Sequence, residues 1–237
     1  MSGHMARQNF MATTFAEIAF ENFQLMREDY QQLLTLDKIC GEVVELEHDM
    51  RCKYVIITTF SAMALEAFLN DYGARKLGDN YFYDNYESLP PTAKLQLISQ
   101  MLFSIHVDKG GIIYASVARL IKERNKLVHS KSKKFTGMSE EEYIEFQQFL
   151  ESSEYSDEWV RVTFERIDLN EIKELLDNAN NAIRSLMEVA RFIDKHDPSA
   201  YAASKLLCSG WYVTMQREKY EKIRAAQIVY GIEPLNM

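Results

Sequence analysis

Residues 123–129 read Glu-Arg-Asn-Lys-Leu-Val-His and close an apolar-periodic stretch. Ile113, Val117, Leu120 and Leu127 recur at helical spacing, and Arg124 falls in the gap of that stripe. Ala118, Ile121 and Val128 form a second stripe, and Asn125 falls in its gap. A guanidinium and an amide thus stand where the pattern asks for Leu or Ala. Burying either without a partner is costly, so the surface must supply compensation or stay open. His129 follows Asn125 by one helical turn and shares its face. Imidazole moves protons near neutral pH, and guanidinium forks onto anionic oxygens. Together they suit acid–base chemistry on an anionic group.

The charge pattern around these residues favours the same anion. The whole chain carries a formal charge of −8, which by itself points away from nucleic acid. Locally the balance reverses. Arg119, Lys122, Arg124, Lys126, Lys131, Lys133 and Lys134 are opposed only by Glu123, a candidate phosphate-binding footprint. The same cations also suit a solvated helix end, where the C-terminal dipole favours positive charge.

The elements that must position these groups are helical. Only 9 glycines and 4 prolines occur in 237 residues, which argues against a loop-rich or all-β fold. Met1 to Met5 read as a remnant of expression tagging. A first helix is expected over about 13–34. A much longer one starts near Asp37 and ends before Gly73 and Gly78. The Tyr-, Asn- and Asp-rich segment 79–89 reads as a loop or turn, its Tyr81, Tyr83 and Tyr86 suited to packing or to base stacking. Pro90-Pro91 starts a third helix through Lys94, Leu97, Ile98 and Leu102. After Lys109-Gly110-Gly111 the motif helix runs from Ile112 to about Ser130.

A basic loop over 131–137 and a short acidic helix over 140–151 follow. Val160, Val162 and Phe164 alternate with polar residues as in a short strand or hairpin near 159–165. A long helix is expected over 169–195, then two shorter ones near 199–214 and 216–230. The expected fold is therefore all-α: a helical bundle over 37–196, an N-terminal helix in 6–36 and a C-terminal helical extension over 197–237, in one domain. No apolar run approaches the about 20 residues that span a bilayer, and no signal pattern follows Met5. Cys40, Cys52 and Cys208 lack C-x-x-C spacing and suit reduced thiols in a cytoplasmic protein. His48 and Cys52 are one turn apart but have no further ligand at useful spacing, so no metal or other cofactor is expected.

The Arg-Asn-x-x-x-His arrangement, late in a helix of an all-α chain, resembles the HEPN (higher eukaryotes and prokaryotes nucleotide-binding) superfamily. Its signature maps onto Arg124, Asn125 and His129. Residues 60–70, Phe-Ser-Ala-Met-Ala-Leu-Glu-Ala-Phe-Leu-Asn, are similar to the family's second helix, with Glu66 as an acidic residue inside an apolar face. The resemblance covers roughly residues 37–195. It implies a metal-independent endoribonuclease, a toxin or phage-defence effector, whose homodimer forms one composite cleft from two motif helices.

Such cleavage requires removal of the 2′-OH proton, stabilisation of an anionic phosphorane and protonation of the leaving 5′-oxygen. His129 suits proton transfer and Arg124 suits the developing charge. Arg124 and His129 are separated by about 140° around one helix, so an antiparallel partner helix would bring Arg124 of one chain near His129 of the other. Asn125 would orient the His129 ring, and Glu66 would hold Arg124 or His129. Lys122, Lys126, Lys131, Lys133 and Lys134 would guide the RNA backbone. An antitoxin or other regulatory protein is the expected controlling partner, and no membrane is involved. The competing readings are a structural Arg124 ion pair with a capping His129, and a non-catalytic HEPN-like module that binds a nucleotide or a protein.

Overall fold

A computed structural model describes residues 11–36, 41–128 and 169–207. Among the described residues every regular element is helical. In chain order these are α1 (Met11–Thr35), α2 (Gly41–Leu77), α3 (Asp79–Tyr86), α4 (Pro91–Phe103), α5 (Ile112–Val128) and α6 (Leu169–His196). A 3-10 turn (Pro198–Ala200) and the short α7 (Ala202–Leu206) follow. The basic loop, acidic helix and strand expected between 131 and 165 lie outside the described residues, as does the last helix expected at 216–230.

The architecture is organised around α2. Its 37 residues extend roughly 55 Å, and α1, α3, α4, α5, α6 and α7 all pack on it. This explains why its apolar residues surround most of the helix rather than forming one stripe. Met50, Ile57, Ala64, Leu65, Phe68 and Leu69 are all fully buried. Within Glu45–Leu77 the helix is long and apolar enough, by length and composition, to cross a membrane, its most apolar 18-residue window having a mean hydropathy of 1.4. The sequence reading expected no such run. Half of the apolar window is buried inside the bundle, as befits a helix clasped by its neighbours.

Helices α1 and α2 form an antiparallel pair. Lys53 meets Asp29 at 2.6 Å near one end, while Phe15 and Phe60 pack with ring centroids 5.7 Å apart nearer the other. Ala12, Ala16 and Ala19 keep α1 slim on its buried side. Helix α6 runs alongside α2 in the same direction: Arg51 contacts Glu171 at 3.1 Å, and Tyr72 donates to Asp197 at 2.7 Å. Its Ile172, Leu176, Ala179, Ile183, Leu186, Ala190 and Ile193 are buried at the spacing expected from sequence. Helix α5 packs antiparallel to α6, where the Ser185 hydroxyl lies 3.1 Å from the Ser116 carbonyl.

Three features differ from expectation. Helix α2 does not stop before Gly73 but runs through it to Leu77. The glycine serves a close approach: a Cβ there would stand 2.2 Å from the Phe82 ring. Gly78, with φ of 97°, makes the actual corner. Segment 79–86 is then helical rather than a loop, because Phe82 is fully buried against α2 and anchors it. Tyr81 and Tyr86 bond to one another through their hydroxyls at 2.9 Å. The helix expected from 199 is also broken, since Tyr201 has a positive φ of 51° between the 3-10 turn and α7.

Candidate functional site

Helix α5 starts from a tight turn in which Asp108 accepts from the backbone of Gly110 and Gly111. A Cβ on Gly111 would press to 3.1 Å from the Asp108 carbonyl oxygen. From this start Val117 and Leu120 enter the core, both almost fully buried. Arg124 is one turn beyond Leu120 on the same side, so the stripe that anchors the helix carries the guanidinium to the edge of the bundle. Ile113, Ile121 and Leu127 flank this anchor, partly buried.

Arg124 keeps 27% of its side chain exposed, and its Nη2 lies 4.0 Å from Oε2 of Glu66 on α2. The other carboxylate oxygen of Glu66 faces α4, where Lys94 Nζ stands 3.5 Å from Oε1. Lys94 has no exposed side-chain surface, whereas Glu66 is 39% exposed. One carboxylate is thus bracketed by an ammonium in the interior and a guanidinium at the rim, each from a different helix. Neither contact is a close fork, and no hydrogen bond to Lys94 Nζ or Arg124 Nε occurs among the described residues. Burial pushes the Lys94 amine below its ordinary pKa, and Glu66, helped by Glu87, offsets only part of that shift. Asn70 follows Glu66 by one turn, and its buried Oδ1 has no hydrogen-bond partner among the described residues.

The structure brings together Arg124 and Glu66 among the residues singled out from sequence. Asn125 lies on the exposed side of α5, because the second apolar stripe runs along the edge of the bundle and ends at the exposed Val128. Lys122 is exposed too. Lys126 is committed locally to Glu123 at 2.7 Å, a contact that raises its pKa and offsets its charge. His129, Lys131, Lys133 and Lys134 lie outside the described residues. Arg119 and Glu123 line a small surface depression with Thr58, Asn178 and Asn181. His48 and Cys52 approach to 3.6 Å on an exposed stretch of α2, and among the described residues no third potential ligand joins them.

Comparison with family models, curated proteins and solved structures finds no match to this chain.

Lys94 is the site residue that sequence reasoning passed over. It occupies an apolar-stripe position in α4, with Leu95 and Ile98 buried beside it. The same signal that marks Arg124, a cation where the pattern asks for Leu, was therefore present. What sequence could not give is the partner, since Glu66 and Lys94 come from different helices.

Proposed function

We propose that this chain is a metal-independent endoribonuclease of HEPN type, acting as a cytoplasmic homodimer. Its place would be that of a toxin or phage-defence effector held in check by an antitoxin or other regulatory protein. The observation that carries the reading is the setting of Arg124. A guanidinium planted on the core-facing stripe of α5 is held loosely by Glu66, which also faces the buried Lys94, and still reaches solvent. Such a group can receive a phosphate without first breaking a close salt bridge.

In this reading Arg124 binds the scissile phosphate and stabilises the phosphorane as charge develops. His129 transfers the protons, the partner chain's motif helix supplies the second set of groups, and Asn125 orients the imidazole. Lys122 and the remaining cations of the 122–134 block draw in the RNA backbone. The products carry 2′,3′-cyclic phosphate and 5′-hydroxyl ends.

The test is incubation of purified protein with total cellular RNA in EDTA, alongside His129→Ala and Arg124→Ala. Discrete fragments with cyclic ends for wild type, and none for either variant, support the enzyme. Inert wild-type protein that is thermally stabilised by nucleotides would instead favour a binding module. If Arg124→Ala dissociates or melts the protein and no preparation cuts RNA, Arg124 is a structural ion-pair residue.

A further inference from the structure

We infer that Lys94 is a positioning residue that draws the Glu66 carboxylate away from Arg124, keeping the guanidinium free for an incoming phosphate. The functional half of this inference rests on the ribonuclease reading; the electrostatic half does not.

The geometry carries it. Glu66 divides its two oxygens between two cations, Oε1 toward Lys94 at 3.5 Å and Oε2 toward Arg124 at 4.0 Å. An arginine and a carboxylate left to themselves close into a fork with N···O distances of about 2.7–2.9 Å. Here the contact is open by more than an ångström, although both side chains are partly exposed and long enough to adjust. Lys94 is fully enclosed, so water screens its charge poorly and its pull on Glu66 is strong for the distance. Glu66, by contrast, is the most exposed of the three.

A buried ammonium that makes no hydrogen bond among the described residues is a costly feature. A leucine or methionine there would fill the same interior at lower cost. Its presence is accounted for if it sets the position of the carboxylate. With Lys94 charged, Glu66 sits between the cations and Arg124 is only half engaged. Without it, Glu66 can swing onto Arg124 and occupy the surface that a phosphate would take. Arg124 would then have to break a fork before binding.

The test uses the full chain in two parts. The first needs no RNA: the coupling of Glu66 to Arg124 is measured by a denaturant-unfolding double-mutant cycle with Glu66→Gln and Arg124→Gln. The cycle is run in wild type and again with Lys94→Met, a substitution close in volume and apolar. The inference expects the coupling to strengthen by about threefold or more in unfolding constant when Lys94 is removed. Unchanged or weaker coupling overturns it, whatever the protein does to RNA.

The second part measures binding of a labelled single-stranded RNA oligonucleotide at low salt in a His129→Ala background. Lys94→Met should weaken binding about tenfold, and adding Glu66→Gln should restore it to within about threefold of the parent. A packing role for Lys94 gives no such rescue, so a double variant as weak as Lys94→Met overturns the inference. If the parent binds no RNA, the ribonuclease reading falls, and the unfolding cycle alone decides whether Lys94 holds Glu66 off Arg124.

Discussion

Helix α2 carries two polar clusters within three turns of one another, and they are built to opposite standards. At Tyr72 and Lys76 everything closes. Asp197 accepts from the Tyr72 hydroxyl at 2.7 Å, pairs with Lys76 at 2.6 Å and caps Ser199 through its backbone N–H at 3.1 Å. Beside it, Asp194 accepts from the backbone of Ala202 and Ala203 at 2.7 and 2.8 Å, capping α7. At Glu66 the contacts are 3.5 and 4.0 Å, and donors go unused among the described residues. A cluster that only holds helices together gains by satisfying every group. One that must exchange a protein partner for a ligand gains by leaving a group half engaged.

The sharpest way to break this contrast is to exchange the expected phenotypes. His129→Ala should lower the RNA cleavage rate by about 10²–10⁴. Arg124→Ala should abolish measurable cleavage while changing unfolding free energy by less than about 1 kcal/mol, since a partly exposed pair at 4.0 Å contributes little. Asp197→Asn should do the reverse, costing about 2 kcal/mol in urea unfolding with RNA affinity unchanged. If Arg124→Ala destabilises as much as Asp197→Asn, the two clusters are alike and the Glu66 site is structural.

The pH dependence of stability should separate them as well. The Lys76 ammonium, Ser199 and Tyr72 hold the Asp197 carboxyl well below its ordinary pKa. Its stabilisation is therefore fully present above the unfolded-state value of about 3.9 and is lost as pH falls below it toward the folded value. Urea unfolding between pH 7 and pH 3 should show this acid loss in wild type and a flatter profile in Asp197→Asn. Equal slopes would mean that the carboxylate contributes nothing through its charge.

Gly73 lies inside the second cluster's stretch of α2, between Tyr72 and Lys76, and tests whether the two clusters depend on one another. Gly73→Ala places a methyl group against the Phe82 ring, which should cost about 1–3 kcal/mol as α3 is pushed away. Pairing it with Phe82→Leu should recover part of that loss. RNA cleavage at a temperature where the variant stays folded should be unaffected if the Glu66 site depends only on the contacts of Glu66 with α4 and α5 and not on α3.

How much of this was legible in the sequence depended on whether the cause was local. The α6 stripe is a periodic signal: Ile172, Leu176, Ala179, Ile183, Leu186, Ala190 and Ile193 are buried where the spacing puts them, and Leu175, on the same expected stripe, is only partly buried. Pro90-Pro91 marked the start of α4 because proline fits the first turn. Gly73 and segment 79–86 were misread because their reason is tertiary: glycine in a helix resembles a terminator until Phe82 is seen against it. Arg124 and Glu66 were each identifiable as polar residues on apolar faces. Lys94 showed the same sign, but its meaning lay in a neighbour from another helix.

The smallest effect concerns the cations at the end of α5, and it tests the contrast on the scale of single charges. Both lysines are exposed, but Lys126 is held by Glu123 at 2.7 Å. A cation already neutralised releases fewer counterions when RNA binds. Lys122→Ala should therefore reduce the slope of log affinity against log salt by about 0.7, the single-strand value for one phosphate contact. Lys126→Ala should reduce it less, and Glu123→Gln should steepen it by freeing the Lys126 ammonium. Oligonucleotide binding titrated between low and moderate salt measures all three. Equal slopes for the two lysine variants would show that the Glu123 pair opens on binding, so that even a short surface contact behaves like the loose site at Glu66.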